Sequence, residues 1–418
     1  MALQARPLGL PDLEAWQWRS RAGHPAFRNA RKAEGRGDWA GVATACKQAL
    51  AADPTNLEAA WLYAVALAKT GDLLGVTSPL ALAGAGDFGK WAVASLDQPG
   101  LQPYLATPAG QAWTARVAAD RAGYLDALAH GLIVIAKGDL YTIHAQRWYR
   151  LTRTFGAVVA AYASTDGHHL AYVTRGKTSH KLAVGSVDLA TGGTTRAQEL
   201  PPIATQIAST KDGFWVGQAG MKRTLSFDHR APPGDHQGLL VPTKLAARPA
   251  GAWLEIYTSG GVRLHRGPLP NISADWDDQG LASAFRIATS NRVVTVPGQI
   301  QGDSLAWSPD RNHVAFVAQI SDHCDGGPTV AAYIVDASTG APIELARGHG
   351  LAIDWAGDRT VALASDDGVT LHELAGQGSA LAGATNLMRP RYAPHCEVLP
   401  TEPTAEPDDE PADEPAKN

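Results

Sequence analysis

The chain has 418 residues, 45% of them hydrophobic and 18% charged, with a formal net charge of −5. That length can hold two domains with sizeable cores, and the composition excludes a collagen-like or wholly disordered chain. Residues 401–418 carry seven acids and one lysine, a net of −6, so the remainder sits near +1 and a nucleic-acid-binding role is excluded.

No run approaches 18 apolar residues, so no helix is expected to cross a membrane. Arg6, Pro7, Pro11 and Asp12 interrupt the first residues, which therefore lack the apolar core of a signal peptide. The expectation is a cytoplasmic protein as the sequence stands, or a periplasmic one if a leader has been removed. Three cysteines cannot build a disulfide framework, although they leave room for one bridge.

Residues 11–82 read as helices. Val42, Cys46, Ala49 and then Ala60, Ala64, Leu67 recur at helical spacing. Ala30, Ala33, Gly37 and Asp38 recur 34 residues later as Ala64, Leu67, Gly71 and Asp72. In each set the Gly serves as a left-handed C-cap and the Asp as the next N-cap. Asp53-Pro54-Thr55-Asn56 supplies a stop, a turn and an N-cap for a helix from Leu57. Residues 88–130 continue helically without a clear repeat, and read as capping helices.

From Gly131 the pattern becomes β-rich. Leu132–Ala136 and Leu140–Ile143 flank a Gly-Asp turn. Ser164-Thr-Asp166-Gly167 and Ser209-Thr-Lys-Asp212-Gly213 each precede a β-rich run. Trp307-Ser-Pro-Asp310-Arg311 recurs 48 residues later as Trp355-Ala-Gly-Asp358-Arg359. A second signature, Val187-Asp188-Leu-Ala-Thr191-Gly192 and Val335-Asp336-Ala-Ser-Thr339-Gly340, runs a strand into a tight hairpin. Repeats of this length belong to propeller blades, and those of 34 residues to helix–turn–helix solenoids.

Two resemblances follow. Gly37-Asp38-Trp39, Ala49-Leu50, Asp53-Pro54, Trp61, Ala64 and Leu67 resemble the tetratricopeptide-repeat family over about two repeats, 23–56 and 57–90. The likeness ends after Gly71, where Leu73–Leu82 is short and carries Pro79. The strand, Asp-Gly turn, strand, Asp-x-x-Thr-Gly hairpin order resembles the TolB-type and WD-like β-propellers. The expected fold is a multidomain α plus all-β chain: a short helical solenoid over 1–130, then a β-propeller over 131–398. About six blades fit, with a seventh possible in the irregular stretch 266–300. Leu387–Tyr392 reads as a spare inner strand able to close the first blade. The tail, 399–418, is proline-rich and acidic, and cannot offset the entropy of ordering.

Several motifs spell chemistry. Gly302-Asp303-Ser304-Leu305 matches the nucleophile block of an esterase family, yet it opens the best blade repeat. Gly84-Ala-Gly86-Asp-Phe-Gly89-Lys90 spells G-x-G-x-x-G, but follows a helix where a phosphate loop needs a strand, and reads as an inter-helix turn. Asp275-Trp-Asp277-Asp278 begins like a calcium loop but lacks the closing Glu. His323-Cys324 and His395-Cys396 leave three alternatives: unrelated cysteines, a Cys324–Cys396 disulfide, or a zinc site.

The tetratricopeptide resemblance implies a partner-binding concave face carrying His24, Phe27, Arg31, Glu58, Trp61 and Val65. The leading reading is a non-enzymatic protein or peptide-binding scaffold with no cofactor and no metal. The alternatives are a propeller enzyme or small-ligand binder with its site at the central channel, and a TolB-like envelope component.

Overall fold

In the computed structural model, the described residues are 22–387 apart from 146, 155, 164–167, 177–178, 196, 201–203, 210–212, 219–220, 227–240, 243–252, 257–261, 266–268, 278–279, 321–329, 349, 366, 375–378 and 382–385. Helices fill the first part and antiparallel sheets the second. The helix anticipated before residue 22, both His-Cys pairs and the acidic tail lie outside the described residues.

The helices are α1 (His24–Gly35), α2 (Trp39–Ala52), α3 (Leu57–Thr70), α4 (Thr77–Gly86), a π-helical turn (Phe88–Ala92) running into α5 (Val93–Asp97), α6 (Gln102–Leu105) and α7 (Pro108–His130). The 34-residue repeat is a repeat of helix ends. Gly37 and Gly71 are left-handed, at φ 72° and 87°. The amide after each returns to the carbonyl five residues earlier: Asp38 N to Ala33 O at 3.0 Å, and Asp72 N to Leu67 O at 2.9 Å. Each aspartate then accepts the amide three residues on, from Gly41 at 2.8 Å and Gly75 at 3.1 Å. Asn56 caps α3 through Ala59 N at 2.9 Å. The two units diverge after Gly71: α2 begins directly behind Asp38, whereas α4 starts only at Thr77.

Small residues let the helices approach. Phe27, Ala30 and Ala33 of α1 pack with Val42, Cys46 and Ala49 of α2 and Ala59, Leu62 and Ala66 of α3. A second cluster joins α3 and α4 to Leu101, Tyr104, Trp113 and Val117. Burial, then the nearby Glu34 charge, pushes the Cys46 thiol up to about 12, so Cys46 is an inert core residue.

The strands, β1 (Leu132–Ala136) through β25 (Asn386–Leu387), pair antiparallel throughout the described residues. Three sheets are four-stranded, in the orders β25-β1-β2-β3, β4-β5-β6-β7 and β21-β22-β23-β24. Here β2 is Asp139–His144, β3 Arg147–Arg150, β4 Val158–Ala163, β5 His169–Arg175, β6 Leu182–Asp188, β7 Gln198–Glu199, β21 Ala352–Trp355, β22 Thr360–Ser365, β23 Gly368–Glu373 and β24 Ser379–Leu381. The first sheet closes as anticipated: Leu387 pairs with Val134 and Asn386 with Ile135. The irregular stretch holds β14 (Ile272–Ser273), β15 (Leu281–Ile287) and β16 (Arg292–Gln301). These share one sheet with β17 (Ala306–Trp307), β18 (His313–Gln319), β19 (Val330–Asp336) and β20 (Pro342–Gly348).

Neighbouring sheets pack face to face. Ala306, Val317 and Ile334 meet Ile353, Trp355 and Val361. The last sheet then meets the first, through Ala352, Ala362 and Val369 against Val134, Tyr141 and Leu387. The first sheet meets the second and α7 through Leu140, Leu151, Leu170, Val187, Tyr124 and Ala127. A chain whose last sheet packs on its first, with a C-terminal strand completing that first sheet, has the closure of a β-propeller.

Candidate functional site

The candidate partner-binding residues fall into two groups. Phe27 and Val65 are buried, 7% and 4% exposed, and belong to the helical core. Placing them on a concave binding face is therefore corrected: their apolar side chains are consumed by helix packing. Arg31 and Glu58 are exposed and Trp61 half-buried. Arg31 Nη1 donates to Glu34 at 2.5 Å within α1, and stands apart from the other two. His24 is half-buried at the start of α1.

Glu58 and Trp61 lie one turn apart on α3, and the turn following α4 brings them company. The Trp61 ring stacks on Trp91, with centroids 4.7 Å apart and planes 27° from parallel. Lys90 Nζ sits 4.0 Å from the centroid of the Trp91 ring and donates to Glu58. Trp91 itself is 8% exposed and rests on Leu57, Ala60 and Ala83. Half-buried Trp61, backed by Trp91 and bordered by one cation and one anion, makes a surface that is part apolar, part charged.

Lys90 escaped the sequence reading because it ends the G-x-G-x-x-G stretch, which reads as a turn, and Trp91 directly follows it. The structure makes it two helices separated by Asp87 alone. Its glycines are packing contacts. A Cβ on Gly84 would lie 2.7 Å from the Trp113 ring, one on Gly86 2.4 Å from Leu57, and one on Gly89 2.6 Å from the Tyr124 hydroxyl. Asp87 caps the next helix by accepting from Lys90 N at 3.1 Å. An Asp immediately before a helical run was the available signal.

Asp87 also ties the helices to the sheets. Arg153 grips it with both arms, Nε at 2.7 Å and Nη2 at 2.6 Å, and the Asp87 side chain is fully buried. Around this fork, Phe88, Tyr124 and Tyr149 form an aromatic cluster with centroids 5.3–6.3 Å apart. Burial pushes the Tyr124 phenol up to about 12. Deeper in the first sheet, Asp139 accepts from Arg150 Nη2, Thr152 Oγ1 and Thr154 N at 2.7–2.8 Å. Buried carboxylates with this many donors are scaffold.

The other chemical motifs are likewise used by the fold. Ser304 of the esterase-like block is buried; its Oγ donates to Gln301 O at 2.6 Å and accepts from Val317 N at 2.8 Å. Asp277 caps its own loop by accepting Leu281 N at 2.8 Å. Among the described residues no group of three or more His, Cys, Asp or Glu side chains is arranged to hold a metal ion. Cys324 and Cys396 lie outside the described residues, and with them the disulfide and zinc alternatives.

No family model matches this chain, and no curated protein matches it. Solved structures similar to it include Hsv2 of Kluyveromyces lactis, at 11% identity and TM-score 0.33 over 58% of this chain and 89% of that one. TolB from Acinetobacter baumannii matches at 12% and 0.33, over 68% and 72%. KlAtg21, in complex with the coiled coil of AgAtg16, matches at 11% and 0.29, over 60% and 95%. At these scores none of them carries a functional argument. Among the described residues no helix is long and apolar enough to cross a membrane.

Proposed function

We propose that this chain is a non-enzymatic interaction protein in which a helical repeat unit and a β-propeller each offer a binding surface to a protein or peptide. The 25 described strands form five sheets, three of four strands and two wider ones in which β12–β13 (Trp253–His265) pair onto β8–β11 (Ala204–Pro242) and β14–β16 pair onto β17–β20; about six blades of four strands would account for that number. The observation that carries the reading is half-buried Trp61, backed by the buried ring of Trp91 and flanked by Lys90 and Glu58. Tryptophan beside opposed charges is the composition of interface hot spots, where a rigid ring supplies area and the charges fix orientation.

The test is quantitative capture from cell extract with matched variants. Trp61 contributes to packing through its stack, so truncating it costs stability as well as surface. Glu58→Lys and Arg31→Glu leave the packed rings in place, each breaking one exposed ion pair, and are the cleaner probes. A partner lost with Glu58→Lys at an unchanged melting midpoint supports the helical surface. A partner set unaltered by Glu58→Lys and by Trp61→Ala sinks it.

A further inference from the structure

Helix α1 carries a line of charge that its own fold leaves unanswered. Arg28 and Lys32 of α1 and Arg36, its C-cap residue, stand four residues apart, all exposed, on the side opposite buried Phe27, Ala30 and Ala33. Four residues of helix rise about 6 Å, so the three cations form a ridge about 12 Å long. Residues 22–52 hold five cations (Arg28, Arg31, Lys32, Arg36, Lys47) against two acids. Both acids are engaged: Glu34 by Arg31 at 2.5 Å, and Asp38 by its capping bond from Gly41. Among the described residues no carboxylate pairs with Arg28, Lys32 or Arg36. Like charges at this spacing repel and weaken a helix, so the ridge is a standing cost until an anion meets it.

The matching anion is in the same chain. Glu406, Asp408, Asp409, Glu410, Asp413 and Glu414 crowd the C-terminal segment, with no cation before Lys417. Acids two apart on an extended backbone are spaced about 6–7 Å, close to the pitch of the ridge. The segment leaves from Leu387, which pairs with Val134 of β1, only four residues past the end of α7. The roughly twenty residues from there to Glu406 reach about 60 Å when extended, against about 35 Å for α7. Tethering at such range gives an effective concentration near millimolar, at which a few exposed ion pairs hold the segment on the ridge for part of the time.

We propose that the acidic segment 406–414 docks on the Arg28–Lys32–Arg36 ridge of α1 and is displaced by salt. Zero-length carbodiimide coupling of the full chain, followed by peptide mass spectrometry, tests it, because Lys32 is the ridge's only amine. The expected product is an intramolecular link from Lys32 to an acid within 406–414. It should weaken about fivefold in Arg28→Glu/Arg36→Glu, two exposed ion pairs' worth. It should disappear near 1 M salt, where screening acts within about 3 Å. The neutral pair Arg28→Gln/Arg36→Gln, with an unchanged melting midpoint, guards against misfolding. Links spread evenly over Lys32, Lys47, Lys69 and Lys137, links indifferent to the arginine variants, or links found only in dimers would each overturn the proposal.

Discussion

The helices and the sheets both repeat, but they use their repeated residues for opposite purposes. In the helical part Ala33, Gly37 and Asp38 act within one hairpin, closing a helix end and starting the next helix. In the sheets the repeated tryptophan reaches out of its own unit. Trp355 Nε1 donates to Ala306 O of the preceding sheet at 2.9 Å, and Trp307 Nε1 to Pro270 O, just ahead of edge strand β14 of its own wide sheet, at 2.9 Å. The helical repeat therefore encodes elements, and the sheet repeat encodes joints between elements. Damage to a helical repeat residue should stay local, whereas damage to a sheet tryptophan should loosen the ring.

The largest effect expected from that contrast is at Trp355. It is 8% exposed and packs between β17–β20 and β21–β24. Trp355→Ala should cost about 4 kcal/mol by loss of packing and a cavity, measured by denaturant unfolding. Trp355→Phe keeps most of the area and loses the indole bond, at about 1 kcal/mol. Trp307 is only partly buried, so Trp307→Ala should cost about 1–2 kcal/mol. Equal costs at the two tryptophans would break the claim that joints scale with burial.

Next in size is the seam between the two parts. Asp87→Ala leaves Arg153 facing a cavity without its carboxylate, at about 3 kcal/mol. Because the seam joins the parts rather than building either, the variant should unfold in two separable transitions and the parent chain in one. A single transition at lower denaturant would mean the helices and sheets fold as one unit irrespective of this pair.

Local helix damage should be smaller. Gly37→Ala and Gly71→Ala force an L-residue to φ 72° and 87°, at about 1 kcal/mol each. Neither glycine's added Cβ would meet another atom within 4 Å, so the two costs should match and arise from backbone strain alone. A cost at either position well above that would show that it carries a joint as well as a cap.

This contrast explains what was legible beforehand. Caps, turns and strand alternation are written in neighbouring residues, so Gly37-Asp38, Asn56, the Asp336-Ala-Ser-Thr-Gly340 hairpin and the closing strand at Leu387 could be read directly. Joints are written in residues far apart. Asp87 and Arg153 are separated by 66 positions, and neither belongs to a repeat. The Trp61–Trp91 stack was hidden for the same reason, since only the fold of α4 back onto α3 brings the rings together. Phe27 and Val65 were placed on a binding face by resemblance, which carries positions over but does not say which side chains the packing of α1, α2 and α3 buries.

The smallest expected effect separates the sheet turns by pH. The Asp310 carboxyl accepts from Ser308 Oγ at 2.6 Å and from Asn312 N at 3.0 Å. Asp336 accepts from Ser338 Oγ at 2.5 Å and from the amides of Ser338 and Thr339. The serine hydroxyl first, then the amides, hold each carboxyl below its ordinary value, outweighing slight desolvation. Both folded pKa values are depressed, so each turn's contribution is present above the unfolded value near 4 and is lost as pH falls through the lower folded value. Both groups are almost fully solvated, so screening keeps the contribution small. The melting midpoint should therefore fall on acidification below about pH 4, and fall less steeply in Asp310→Asn/Asp336→Asn, whose turns no longer titrate. An acid limb of unchanged slope in that double variant would assign the loss to groups outside these turns and leave the turns electrostatically silent.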